Sequence, residues 1–378
     1  MAAPTKIIHI VESLGRGAVE NWLLRMLAHA RANGAALDWT FYCQLPQAGE
    51  RDDQARAMGA RIVHSEVPLV RTRAFMTALR GELRRGRYDV LHCHHDLVSA
   101  VYLATSFGLP IGRHIVHAHN ADEGLPTPSR TKAALLRGPM RRICLTADKV
   151  VGISGHTLGT MLGGRARRAG RDVVHYYGID PAPFIHARGD RTAFRRSIGL
   201  PDDALLLLFG GRITPEKNPV YAIDVFARIA AREPRAFMIY VGSGSLEGAV
   251  AERAKALGVA DRVRMMGWRN DLPDIMCSAD WFILPHPEEP MEGFGLAVVE
   301  AQLAGLPLLL SHGIPDDPLL PTAVFRRLSL ADDPDRWADA AMDLLSQPAP
   351  SGAAALAALK LSPMDMDFAL ADLLALYA

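Results

Sequence analysis

The chain has 378 residues, 49% of them apolar and 22% charged. This is a globular composition that excludes a disordered polymer and implies two domains, because one hydrophobic core rarely grows so large. Lys and Arg number 42 against 41 Asp and Glu, a formal +1, which argues against a protein that coats nucleic acid. Cys43, Cys93, Cys144 and Cys277 stand far apart with no C-x-x-C pair; that excludes a zinc-finger or disulfide framework and suits a reducing cytosol.

Short apolar runs alternate with helix-period segments along the first half. Ile7–Val11, Trp39–Cys43, Arg61–His64, Val90–Cys93, His114–His117, Val150–Ile153 and Val173–Tyr176 read as buried strands. Val19–Asn33, Thr72–Arg85 and Leu97–Phe107 read as helices between them. Such alternation implies right-handed crossovers and a parallel sheet covered on both faces. The longest charge-free stretch, Leu97 to Gly112, is broken by Gly108 and Pro110 and is too short to cross a bilayer. Residues 1–12 lack the basic start and apolar run of a secretory signal. The expectation is a cytoplasmic protein.

Charge is unevenly spread. Residues 1–180 hold 24 basic and 15 acidic side chains, and the remainder 18 and 26. Between Arg130 and Arg171, ten basic residues face one acid, Asp148. Arg130, Lys132, Arg137, Arg141 and Arg142 interleave there with Leu135, Leu136, Met140 and Ile143. This pattern fits a basic amphipathic helix lying on an anionic membrane, or equally an arginine-rich solvated face.

Gly178–Pro183 is a Gly/Pro-punctuated linker, and the same rhythm resumes beyond it. Leu205–Phe209, Phe237–Val241, Val263–Met266, Trp281–Leu284 and Leu308–Leu310 read as strands; Pro219–Arg232, Leu246–Leu257 and Leu296–Ala304 read as helices. The expected fold class is α/β, with two Rossmann-like doubly wound parallel sheets facing an interdomain cleft. Ligands then gather at the carboxyl ends of the strands.

Four constellations fall at such ends. In Glu292-Gly-Phe-Gly-Leu-Ala-Val-Val-Glu300, Gly293 and Gly295 let the backbone turn sharply. The N–H groups of Leu296 and Ala297 would then face an anion at a helix start. Two carboxylates bracketing a phosphate suit a nucleotide-sugar. In Phe209-Gly-Gly-Arg-Ile-Thr-Pro-Glu-Lys-Asn-Pro219, Gly210 and Gly211 open a loop carrying Arg212 and Lys217, a cation pair suited to a departing diphosphate. In Glu12–Glu20, Gly15 and Gly17 precede a helix, without a G-x-G-x-x-G or Walker pattern. Finally, His92 with His94 and His117 with His119 share strand faces. These H-x-H pairs admit a metal-dependent hydrolase with Asp96 and Asp122 as added ligands, although that leaves the Arg/Lys and Glu pairs unexplained.

Together these residues resemble the retaining glycosyltransferases of the GT-B fold, the large family of sucrose synthase-like and mannosyltransferase-like enzymes. The matching pieces run in family order. Arg16-Gly-Ala-Val-Glu20 is similar to the R-G-G-x-E opening, Val150–Ser154 to the strand ending in Ser, and Tyr176-Tyr-Gly-Ile-Asp180 to the P-N-G-I-D linker. Gly211–Lys217 is similar to the G-R-x4-K loop, Val241–Gly244 to v-G-d-G, and Glu292–Glu300 to E-x7-E. His114–Asn120 and Ser311–Asp317 look most like bacterial exopolysaccharide and capsule enzymes.

The resemblance implies that Glu292 contacts the donor sugar, Glu300 the ribose, and Arg212 and Lys217 the diphosphate. Gly17, Gly211, Gly293, Phe294, Gly295, Leu296 and Ala297 would complete the donor site, and Trp268 and Arg269 would hold the base. His119, with His117 and Asn120, would line the sugar and acceptor side. It implies an acceptor-binding domain over 1–180, a nucleotide-sugar domain over 181–362, and a terminal helix over 363–378 returning to the first domain. The expected reaction is metal-independent transfer, with retention, from a UDP-sugar to a saccharide or lipid-linked acceptor. No cofactor and no nucleic acid are expected. A GT-B nucleotide-sugar epimerase and a catalytically dead binding relative are the other possibilities. Ala18 replaces the second glycine of R-G-G-x-E, which would strain a position needing positive φ, and Tyr177 replaces the linker Asn.

Overall fold

The computed structural model describes residues 3–15, 17–120, 129–187 and 191–378, apart from the side chains of Arg130 and Lys132. The chain divides into two compact units, Met1–Ile179 with Pro363–Ala378, and Asp180–Ser362.

The first unit holds strands β1 (Thr5–Val11), β2 (Leu37–Cys43), β3 (Arg61–His64), β4 (Val90–Cys93), β5 (Arg113–Ala118), β6 (Lys149–Gly152) and β7 (Asp172–Val174). The second holds β8 (Leu205–Gly210), β9 (Ala236–Val241), β10 (Val263–Met265), β11 (Trp281–Leu284), β12 (Leu308–Ser311) and β13 (Phe325–Leu328). Helices of the first half are α1 (Ala18–Ala32), α2 (Asp52–Ala57), α3 (Thr72–Gly86), α4 (Ser99–Ser106), α5 (Arg130–Cys144) and α6 (Gly155–Leu162). Then come α7 (Ala182–His186), α8 (Arg191–Ser197), α9 (Pro219–Arg232), α10 (Glu247–Ala256), α11 (Leu272–Ser278) and α12 (Leu296–Leu303). The last three are α13 (Pro334–Ser346), α14 (Gly352–Lys360) and α15 (Met366–Tyr377).

The two sheets run β3-β2-β1-β4-β5-β6-β7 and β10-β9-β8-β11-β12-β13. The pairings are parallel. Burial on both faces explains why β8 is an unbroken Leu-Leu-Leu-Leu-Phe-Gly run rather than an alternating one. Strand order reverses between β1 and β4 and again between β8 and β11, and such switch points open crevices at the carboxyl ends of the strands. In the second unit the loops after β8 and β11 therefore face each other.

Sequence reading missed β13. It is an edge strand with β12 as its sheet neighbour, and Arg326 and Arg327 interrupt its apolar character. An edge strand tolerates, and is protected by, such charges.

The chain's last helix belongs to the first unit. Ile179 donates its N–H to the Met364 carbonyl at 2.9 Å, and α15 packs on α1. Gly178 allows this approach, since a Cβ there would fall 2.8 Å from the Met366 sulfur and 3.0 Å from that of Met26. Leu373 is wholly buried. Leu373→Ala is therefore expected to lower stability by about 2–5 kcal/mol, checked by urea unfolding.

Candidate functional site

The loop after β8 is shaped by close backbone contacts. Gly211 donates to the Val241 carbonyl at 2.9 Å and Ile213 to that of Ser243 at 3.0 Å. Gly242 has φ +137°, and a Cβ there would fall 2.0 Å from the Gly211 carbonyl oxygen, so only glycine fits. A single 3₁₀ turn, Pro215–Lys217, follows, and Asn218 in the left-handed region leads into α9 at Pro219. The turn aims Lys217 inward, where its ammonium pairs with the Glu292 carboxylate from the loop after β11. Both side chains are largely buried, 17% and 13% exposed.

Glu292 is held on every side. Its Oε1 accepts the Gly293 N–H at 3.1 Å. Its Oε2, bonded by Lys217, lies 3.7 Å from His286 Nε2. Its own N–H bonds the Gly313 carbonyl at 2.8 Å. Burial would raise the Glu292 carboxyl, but Lys217, His286 and the Gly293 N–H outweigh it and hold the group below the usual range. His286 donates from Nδ1 to the Pro287 carbonyl at 2.8 Å, which leaves Nε2 facing the glutamate. Burial lowers its pKa, against the opposing pull of Glu292.

Gly295, at φ +91°, starts α12 with no side-chain cap. Helix geometry leaves the N–H groups of Leu296 and Ala297 without intrahelical acceptors. Phe294 is buried beneath this turn, and Glu300 is half-buried about 6 Å further along the axis. Lys217, Glu292 and the α12 tip thus share one unit. Arg212 stands differently: it is 67% exposed and pairs with Glu216 at 3.0 Å. Arg269 is clasped by Asp271, Nε to Oδ1 at 2.8 Å, beside the half-exposed Trp268. Sequence reading passed over His286, because a single histidine in a polar loop carries no spacing signal. Glu216 was likewise read as part of a loop.

In the first unit, Gly17 is the exposed N-cap of α1 with φ −68°, and Ala18 is the first helical residue. The expected strain at Ala18 is absent, because the position is helical and needs no positive φ. Glycine at 17 instead makes room for Glu20, whose Oε2 would lie 2.2 Å from an added Cβ. Arg16 lies outside the described residues.

The strand-end histidines form a buried nest. His9, His92, His94, His117, His119 and His175 are all at most 5% exposed. Tyr177 Oη, His119, His94 and His9 are linked in series at 2.8, 3.0 and 3.0 Å. Tyr377 Oη, His92 and His117 form a second series at 3.3 and 3.2 Å. Trp22 packs against His94, His117, His119 and His175. Within this unit Trp22 therefore packs on both His117 and His119, and Tyr177 bonds and stacks on His119, so neither imidazole is exposed there. Asn120 is the exposed residue at this strand end, its Nδ2 bonded to Asp96 at 2.9 Å. Asp96 also accepts the N–H groups of His119 and Asn120 at 2.8 and 3.1 Å. It thus serves the backbone, which corrects its candidacy as a metal ligand. Asp122, the other acid considered, lies outside the described residues.

Comparison with known proteins bears on the whole chain. Residues 190–351 match the family model of glycosyl transferases group 1, and residues 19–183 match that of glycosyltransferase family 4. EpsF of Bacillus subtilis, named as a glycosyltransferase, is 24% identical over 345 residues, 88% of this chain and 86% of that protein. An Escherichia coli enzyme named UDP-Gal:alpha-D-GlcNAc-diphosphoundecaprenol alpha-1,3-galactosyltransferase is 25% identical over 276 residues, 69% of this chain and 67% of its own. The crystal structure of HepE from Anabaena, in complex with UDP and glucose, superposes with a TM-score of 0.77 at 17% identity, covering 98% of each chain. Two parallel-sheet α/β units with these counterparts define a GT-B fold. Two glycosyltransferase family models, one on each half, together account for most of the chain and support a glycosyltransferase of the group 1 type, and the epimerase and hydrolase readings are not favoured.

Burial holds the nest histidines neutral. His9 and His119 are pushed down to about 3 and His175 to about 4, each by desolvation. Unfolded, they bind protons below about 6.5. The unfolded chain then holds more protons than the native one, so stability is lost as pH falls from 6.5 toward 4. Each such histidine removes up to about 1.4 kcal/mol per pH unit. Urea midpoints measured at pH 7.5 and 5.5 should differ accordingly, and His9→Phe should flatten the difference.

Proposed function

We propose that this protein transfers a sugar from a nucleoside diphosphate, UDP in particular, to a hydroxyl of a saccharide or lipid-linked saccharide, with retention and without a metal. The observation that carries this is the buried Lys217–Glu292 pair in the same unit as the uncapped start of α12. A buried ammonium beside free helix N–H groups is an anion site. The E. coli relative is named for a UDP-sugar and a diphospholipid-linked acceptor, and HepE was crystallised with UDP and glucose.

In this reading the donor diphosphate draws Lys217 from Glu292 and settles against the N–H groups of Leu296 and Ala297. Arg212, exposed and tethered to Glu216, turns to the same phosphates. Fixed positive charge at the departing diphosphate stabilises the transition state more than the bound donor. Glu292, released, accepts hydrogen bonds from hydroxyls of the donor sugar, and Glu300 bonds the ribose. Trp268 and Arg269 border the base. The leaving phosphate oxygen takes the acceptor proton on the same face, so no carboxylate nucleophile is needed. The acceptor is assigned to the first unit, with Asn120 on its exposed side.

Lys217→Ala and Arg212→Ala are expected to lower kcat by about 10²–10³-fold, while Glu300→Ala mainly raises KM for the donor. UDP release measured across a panel of UDP-sugars checks this. Turnover like wild type in both cation variants rejects the phosphate assignment.

Contact with an anionic membrane is part of the same proposal. Along α5, Leu135 is 72% exposed, Leu136 and Ile143 are also exposed, and Arg137 and Arg142 lie among them. Exposed apolar side chains interleaved with arginine suit the headgroup boundary of an anionic bilayer. Flotation with liposomes should require anionic lipid, weaken with salt and be lost in Leu135→Asp. Failure to float at low salt assigns a soluble acceptor instead.

A further inference from the structure

A second cluster lies in the first unit and shares no residue with the Lys217–Glu292 site. Cys43 ends β2 and His64 ends β3, and parallel pairing makes the two register partners. Asp52 is the first residue of α2. The topology thus gathers a thiol, an imidazole and a carboxylate whose ligand atoms all lie within 4.8 Å of one another. Cys43 is wholly buried, and the side chains of Asp52 and His64 are 3% and 19% exposed.

The hydrogen bonding here leaves a place for positive charge. His64 Nδ1 lies 3.0 Å from the Leu45 carbonyl, which can only accept, so Nδ1 carries a proton. Nε2 then directs its lone pair at Asp52 Oδ2, 2.7 Å away. Two electron pairs cannot face each other so closely without a proton or a metal ion to satisfy both. Asp52 Oδ1 is buried and has no hydrogen-bond partner among the described residues. The nearby charges are mixed: Arg56 approaches Oδ2 at 3.5 Å from an exposed position, while burial, and after it the charges of Asp52 and Glu20, push the Cys43 thiol up. An N–H held by a backbone carbonyl, with the opposite ring nitrogen facing the ligand position, is how metal-binding histidines are oriented.

We propose that Cys43, Asp52 and His64 bind a divalent cation of the zinc type, with solvent in the fourth position. Thiolate, imidazole and carboxylate are zinc's ligand set, and bond lengths of about 2.0–2.3 Å place tetrahedral ligands roughly 3.3–3.8 Å apart. Binding displaces the proton between His64 and Asp52 and the proton of the Cys43 thiol. Two bonds to hydrogen are exchanged for Zn–N and Zn–S bonds, both protons leave to solvent, and nothing is oxidised or reduced. The nest histidines are the rival ligands. Triads such as His94, His117 and His119 also converge, but they contain no anionic ligand, and both nitrogens of His94 and of His119 are already engaged.

The test uses the full-length protein, stripped of metal by chelator and titrated with Co²⁺. One equivalent should bind with a thiolate-to-cobalt charge-transfer band in the near ultraviolet, and Zn²⁺ should displace it. Cys43→Ser should abolish the band, and His64→Ala should weaken binding by about tenfold or more. Zn²⁺ should raise the melting temperature of the wild type, and raise that of His64→Ala clearly less at the same zinc concentration. Because His64 is partly exposed, its variant keeps the test valid if Cys43→Ser fails to fold. Absence of the band at saturating cobalt, cobalt absorption insensitive to both substitutions, or a zinc-induced shift equal in wild type and His64→Ala overturns the proposal.

Discussion

The second unit is organised around one ion pair formed across 75 residues of sequence, Lys217 with Glu292. Neither charge would sit so deep alone, since an unpaired buried charge is prohibitively unfavourable. The pairing depends on β8 and β11 being sheet neighbours although two strands intervene in the chain. That reversal of strand order brings the two following loops to one edge. The backbone contacts of Gly211, Gly242 and Gly313 then press those loops into place. A site of this kind is preorganised by the sheet rather than by its own loops.

The first unit is organised by a different economy of charge. Its strand ends carry buried imidazoles that stay neutral, each able to donate once and accept once. Two series of such rings, each beginning at a tyrosine hydroxyl, tie residue 177 and the C-terminal helix to the sheet. Tyr177, a departure from the family's linker asparagine, gains a role here: its hydroxyl orients His119 and its ring stacks on it. The excess of basic residues in this half lies outside the nest, on exposed surfaces such as α5, where water or an anionic surface solvates it. Cys43, Asp52 and His64, in the same unit, are the one triad of convergent ligands that mixes a thiol, a carboxylate and an imidazole among the described residues.

Much of this was legible in the chain. Unbroken apolar runs such as Leu205–Phe209 exist only because both faces of a parallel sheet are covered, so sequence alone determined the α/β class and the two repeated halves. The loops carrying Gly211–Lys217 and Glu292–Glu300 were legible as well, because glycine before a helix has a local meaning. Strand β13 was not, since an edge strand need not be apolar. Burial and pairing were decided by tertiary structure alone. Whether His117 faces a ligand or Trp22, whether Lys217 or Arg212 meets Glu292, and whether Cys43 stands beside His64 all depend on strand order and register. These are properties of contacts between distant segments, and no local pattern of residues encodes them.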